Sequence, residues 1–190
     1  MSDKRALIID AAIELFAADG FWNTSTASIS KKAGVATGTL FNQFDSKDAL
    51  IDALYAELKQ ESLAAVTAAA AEVEGLRDIL AASWRAYIGW ALANPARYRL
   101  LDQLRVSELV SAEARSRVAE TYAEFTALMD GARKTGAIID LPLDYHFDLL
   151  IGQINAAIAY LVSPDAAGED RDALIEAGFA AYWRGVRNQN

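Results

Sequence analysis

Cysteine is absent from the 190-residue chain, so neither a disulfide framework nor thiolate chemistry is available to it. Histidine occurs once, at His146, which leaves no Ser–His–acid triad and no histidine–carboxylate cluster with metal-ligand spacing. An enzyme would have to rest on carboxylates alone, and none is placed for it. We therefore expect no catalytic residues, no metal and no cofactor. Proline is confined to positions 95, 142 and 164, which permits long uninterrupted helices. No apolar run approaches the ~18 residues needed to cross a bilayer. The first residues, MSDKRALIIDAAIELF, carry acids inside their apolar stretch and no small-residue cleavage site, unlike a signal peptide. These absences predict a cytoplasmic protein with no membrane partner.

Hydrophobic residues make up 53% and charged residues 23%, the balance of a chain that buries a core. A net charge of −8 argues against a protein that merely coats nucleic acid. The charge is uneven, however. Between Asn23 and Lys47 three lysines face Asp45 alone, so an acidic body carries one mildly basic corner.

Apolar residues recur at helical spacing nearly everywhere, and no stretch sustains the alternation of a strand. The pattern predicts an all-α fold of about nine helices. They run over 4–18, 25–34, 37–44, 46–73, 76–93, 95–105, 111–135, 143–162 and 170–187. Gly20, Gly75 and Gly136 close helices, Ser25 or Thr26 can cap the second, and Pro95 opens the sixth. His146 reads as a polar residue near a helix start.

The stretch Ala33–Phe44, AGVATGTLFNQF, is the most informative. Only three residues separate Gly34 from Gly38 and no lysine follows, which excludes a Walker phosphate loop. A dinucleotide loop needs a preceding strand, whereas Ser28–Ala33 reads as helix. A sharp turn remains, with Gly34 supplying positive φ and Leu40 and Phe44 sharing one face of the following helix. That is helix-turn-helix spacing over about 25–44.

The segments IIDAAIELFAADGF, TSTASISKKAGVATGTLFNQF and DSKDAL resemble the DNA-binding domain of the TetR (tetracycline repressor) family of transcriptional regulators. The likeness is close from Arg5 to Leu50; the remainder matches in helicity and length. It implies a helix-turn-helix domain over 1–47 and a helical effector-binding and dimerisation domain over 48–190. By the same resemblance, Thr37, Gly38, Thr39 and Asn42 would read base edges of a double-stranded operator. Ser25, Thr26, Gln43 and Lys47 would hold its backbone. Phe41 stands where the family usually has a tyrosine that reaches a phosphate, and keeps only the packing. Ala36 replaces a frequent hydroxyl residue and leaves the recognition helix without a side-chain cap. These departures, with the acidic balance, keep a second reading open: a helical ligand-binding or interaction protein that has lost DNA binding.

The last two helices each carry an apolar stripe and a separate stripe of small residues. Gly152, Ala156 and Ala159 form one small stripe; Leu174, Gly178, Ala181 and Gly185 form the other. Close packing of these helices on each other would use such stripes, and so would a four-helix interface in a homodimer, which the resemblance implies. Thirteen of the eighteen aromatic residues lie beyond position 50. Trp84, Tyr87, Trp90, Tyr98, Tyr122, Phe125 and Met129 are the candidate lining of a pocket for a small-molecule effector of unknown identity.

Overall fold

A computed structural model describes residues 3–188. Ten α-helices and one 3-10 turn account for the secondary structure of these residues, with no strand among them. The helices are α1 (Lys4–Asp19), α2 (Thr26–Lys32), α3 (Thr37–Gln43), α4 (Lys47–Ala70) and α5 (Leu76–Ala93). They continue as α6 (Pro95–Val106), α7 (Ala112–Thr121), α8 (Ala123–Lys134), α9 (Leu143–Leu161) and α10 (Arg171–Val186).

The count exceeds the expected nine at one place. The helix predicted over 111–135 is two, interrupted at Tyr122, whose φ of −99° and ψ of 9° leave the helical region. The Thr126 amide donates to the Tyr122 carbonyl at 2.9 Å, so α8 restarts at once without a capping side chain. Neither glycine nor proline marks the break, and a turn in one residue's ψ barely disturbs the apolar period.

The described chain divides into two compact units. The first comprises the chain up to Glu61 together with Asn94–Ala119. Its core joins Ile8, Phe16, Ile29, Leu40, Leu54 and Leu58 to Leu100 and Leu104, all essentially shielded from solvent. Helix α1 packs against α2, α3 and α6. Polar ties reinforce this packing. Arg97 of α6 pairs with Asp10 of α1 and with Glu61 of α4, the latter at 2.8 Å. Asp52 of α4 accepts bonds from the Ser111 amide at 2.9 Å and its hydroxyl at 2.6 Å, at the start of α7.

The second unit comprises Ser62–Ala93 and the chain from Glu120 onward. Helices α5, α9 and α10 pack mutually, and α8 lies against α9. Trp84 is the centre of its core: the indole stacks on Tyr182 at 5.9 Å, meets Phe179 edge-on at 6.1 Å and donates to the Ile175 carbonyl at 3.1 Å. His146 lies in the first turn of α9, as its position suggests, but is fully buried, with Nε2 2.9 Å from the Ile139 carbonyl. A single antiparallel bridge, Ile138 to Arg187, fastens the chain after α8 to the end of α10.

Candidate nucleic-acid interface

The interface is built from α2, its turn and α3. Ser25 caps α2 through a reciprocal box: its hydroxyl accepts from the Ser28 amide at 3.0 Å, and the Ser28 hydroxyl receives the Ser25 amide at 3.1 Å. The helix ends in a paired left-handed turn. Gly34 takes φ 67°, its amide donates to the Lys31 carbonyl at 3.2 Å, and the Val35 amide donates to Ser30 at 3.0 Å. A side chain at Gly34 would carry the strain of positive φ, so the sharp approach of α3 depends on this glycine.

Helix α3 starts at Ala36, the N-cap, with no side-chain hydrogen bond to its first turn. Leu40 and Phe44 point inward and are buried. Their burial fixes the helix's rotation, and with it the outward row: Thr37, Gly38, Asn42 and Gln43 are exposed, and Thr39 is half-buried. Phe41 is 44% exposed, large for an aromatic ring in a small domain.

Two cations lie against buried aromatic rings of the assembly. The Arg5 guanidinium lies 5.3 Å from the Phe44 ring centroid. The Lys47 ammonium donates to the Phe21 carbonyl and sits 5.7 Å from the Phe16 ring, so it already ties the start of α4 to the α1–α2 turn. Thr24, which sequence reasoning did not single out, is buried and donates from Oγ1 to the Gly20 carbonyl at 2.8 Å. No sequence pattern announces that bond. Lys32, in the last turn of α2, pairs with Glu14 at 2.6 Å, while Lys31 is exposed. Of the sequence-selected set, Ser25 is exposed and Thr26 half-buried at the start of α2.

The aromatic set is distributed across both units. Tyr98 belongs to the first and is half-buried. Trp84, Tyr87, Trp90, Tyr122, Phe125 and Met129 belong to the second. Trp84 and Met129 are core residues, whereas Tyr87, Trp90, Tyr122 and Phe125 are half-buried. Tyr87 and Trp90 face each other at 5.8 Å, and Phe125 meets Phe147 at 6.0 Å.

The small-residue stripes lie mostly at the surface. Gly152, Ala156, Ala159, Ala181 and Gly185 are exposed, and Leu174 and Gly178 half-buried. Between α9 and α10 runs an open apolar groove of about 330 Å³, lined by Gln153, Ala156, Tyr160, Gly178 and Ala181 with Trp84 at its floor. Among the described residues no three carboxylate or imidazole side chains gather as a metal site, and no helix is long and apolar enough to cross a membrane.

Residues 8–54 match the profile of bacterial regulatory proteins of the TetR family, and residues 80–182 match a tetracyclin repressor-like C-terminal domain. A TetR family chain from Shewanella sp. PV-4 shares 32% identity, with a TM-score of 0.87 over 98% of this chain and 100% of that one. A TetR family transcription regulator from Marinobacter aquaeolei shares the fold, with a TM-score of 0.90 at 22% identity over 98% of this chain and 96% of that one. The HTH-type transcriptional regulator BetI of Burkholderia mallei is 28% identical over 166 residues, covering 74% of this chain and 85% of BetI. The family is made up of transcriptional regulators, which supports the DNA-binding reading of the helix-turn-helix. The chain belongs to the TetR family and is a DNA-binding transcriptional regulator.

Proposed function

We propose that the protein is a cytoplasmic, homodimeric repressor that occupies a palindromic operator and leaves it on binding a small-molecule effector. In this reading the domain over 1–47 reads DNA, and the domain over 48–190 binds effector and dimerises. The observation that carries it is the outward row of α3, presented by the Gly34 turn and held by buried Leu40. Thr37, Gly38, Thr39 and Asn42 meet base edges, where Asn42 pairs bidentately with adenine and the Thr39 methyl packs on thymine. Ser25, Thr26, Phe41, Gln43 and Lys47 lie along the sugar–phosphate backbone and position without specifying.

The exposed small-residue faces of α9 and α10 support a two-fold interface, because glycine and alanine let helix backbones approach closely. A two-fold protein reads half-sites about one helical turn apart, or a multiple of it. Half-buried Tyr87, Trp90, Tyr122 and Phe125 supply apolar surface for an effector.

Selection from a randomised double-stranded DNA pool tests the reading. We expect enrichment of one motif with dyad symmetry, bound by a dimer. An asymmetric motif, or no enrichment at all, overturns the palindromic assignment.

A further inference from the structure

Helix α1 packs against both α2 and α3, and its Glu14 pairs with Lys32 of α2 at 2.6 Å. How α1 is seated therefore decides where α3 lies. The seat on α6 is apolar: Ile8, Ile9, Ala12 and Phe16 are buried on α1, and Leu100, Leu101 and Leu104 on α6. Apolar contact is non-directional, and interlocked ridges still leave the crossing angle a range of about 15–20° either way. Directional polar groups have to define the rest.

Those groups are ionic. Glu57 and Glu61, four residues apart on α4, share one face of that helix. Arg5, in the first turn of α1, pairs with Glu57 directly. The second meeting of the two helices lacks a cation of its own, because Asp10 of α1 and Glu61 of α4 are both acids. Arg97 of α6 supplies it. Its Nη2 donates to Asp10 Oδ1 and its Nη1 to Glu61 Oε1, the latter at 2.8 Å, so one planar fork holds both carboxylates. All five groups belong to the first unit.

A helix tied at one point can pivot; a second tie fixes its direction. Arg5–Glu57 is the first tie and the Arg97 fork is the second. Without Arg97, three carboxylates would share Arg5 alone, and Asp10 and Glu61 would repel each other. The Glu61 carboxyl registers that repulsion: burial foremost raises it, Arg97 opposes, and Glu57 and Asp10 push it further up. The side chains are 26% exposed at Arg97, 41% at Glu61 and 56% at Asp10, so solvent screens the network. Its part in overall stability is therefore small, and what it contributes is orientation.

We propose that Arg97 is the positioning residue that orients the helix-turn-helix on α4 and α6, and thereby sets the half-site spacing the protein accepts. This rests on the two-fold operator reading above and adds what fixes its geometry. Arg97 acts through Asp10 and α1, not through a contact with DNA.

The test uses the full chain, the selected operator, and copies with one or two base pairs added or removed between half-sites. The unaltered chain should discriminate strongly against the altered spacings. Arg97→Met should shrink that discrimination about fivefold or more, with affinity for random DNA and the salt slope unchanged. Arg97→Lys should restore it in part, because a point charge cannot grip two carboxylates as a fork does. A change of sign is the sharper test. Glu61→Gln should shrink the discrimination when Arg97 is present, by removing one arm of the fork. In the Arg97→Met background it should enlarge it, by removing the repulsion. Lys134→Met, which breaks the Asp130–Lys134 pair on α8, controls for a merely structural loss and should leave spacing unaffected. Circular dichroism checks that each variant folds; if Arg97→Met does not, Arg97→Lys and Glu61→Gln decide. Spacing discrimination untouched by Arg97→Met overturns the proposal, and so does an equal loss with Lys134→Met. Weakened binding to random DNA would make Arg97 a phosphate contact and overturn it too. A chain that selects a lone half-site or no motif removes the two-fold reading itself, and the proposal falls with it.

Discussion

A β-carbon placed on Gly178 would lie 3.1 Å from Cζ2 of Trp84, closer than carbon atoms normally pack. Gly178 is half-buried on α10, and Trp84 on α5 is locked by Tyr182, Phe179 and the Ile175 carbonyl. One member of the small-residue stripe is therefore already used inside its own unit. Gly152, Gly185 and Gly89 have nothing within 4 Å of the same position.

This contrast predicts opposite signs for one substitution. Alanine in place of a helical glycine gains about 0.5–1 kcal/mol from reduced backbone freedom. Gly89→Ala, in open space on α5, should raise the melting temperature accordingly. Gly178→Ala should lower it, because Trp84 has no room to retreat. A Gly178→Ala chain that melts as high as the Gly89→Ala one would show that the indole shifts freely.

Dimerisation is better probed where the stripe is open. Ala181 is exposed and lines the α9–α10 groove. Ala181→Glu should give monomers at micromolar concentration in sedimentation velocity, with helicity unchanged by circular dichroism, since burying an unpaired charge in an interface is costly. A persistent dimer would place the two-fold interface on another face.

Ala36 caps α3 without a side-chain bond, its φ of −67° and ψ of 146° being those of an ordinary N-cap. Ala36→Ser should supply the missing acceptor and stabilise the chain by up to ~1 kcal/mol, read as a raised urea midpoint. An unchanged midpoint would mean that the added hydroxyl does not reach the first-turn amides.

DNA contacts of the two kinds should fail differently. Asn42→Ala should cost ~1–3 kcal/mol on the operator at one position of each half-site, with non-specific binding and salt slope nearly intact. Lys47→Ala should weaken all sequences alike and lower the salt slope by about one counterion per subunit. It should also reduce thermal stability, because the Lys47 ammonium holds the Phe21 carbonyl. Uniform weakening by Asn42→Ala would make Asn42 a backbone contact.

The Tyr182 hydroxyl is fully buried and meets no hydrogen-bond partner among the described residues. Burial holds its ionisation up to about 12, above the usual tyrosine value of 10.0. Below pH 10 both the folded and the unfolded chain keep this proton. As pH rises towards 12 the unfolded chain ionises first, so stability falls through that window. Tyr182→Phe should stabilise the chain at neutral pH by ~1 kcal/mol, since the unpartnered hydroxyl is removed and the ring packing kept. It should also shallow the alkaline decline, measured by denaturant midpoints between pH 9 and 12. A less stable Tyr182→Phe chain would reveal a bond to that hydroxyl.

Local chemistry made the helix-turn-helix readable from the sequence. Gly34 demands a left-handed turn, Ser25 supplies a cap, and the four-residue spacing of Leu40 and Phe44 orients α3. All these signals act within a few residues, as does the apolar period that announced the helices. The break at Tyr122 escaped because one residue's ψ leaves that period intact. What lies far apart in the chain was decided only by packing. Arg97 of α6 gathers Asp10 of α1 and Glu61 of α4, and Gly178 opposes Trp84 across 94 positions. Periodicity places a side chain on a face of its helix; which distant side chain shares that space depends on how helices cross, and only the folded chain fixes that.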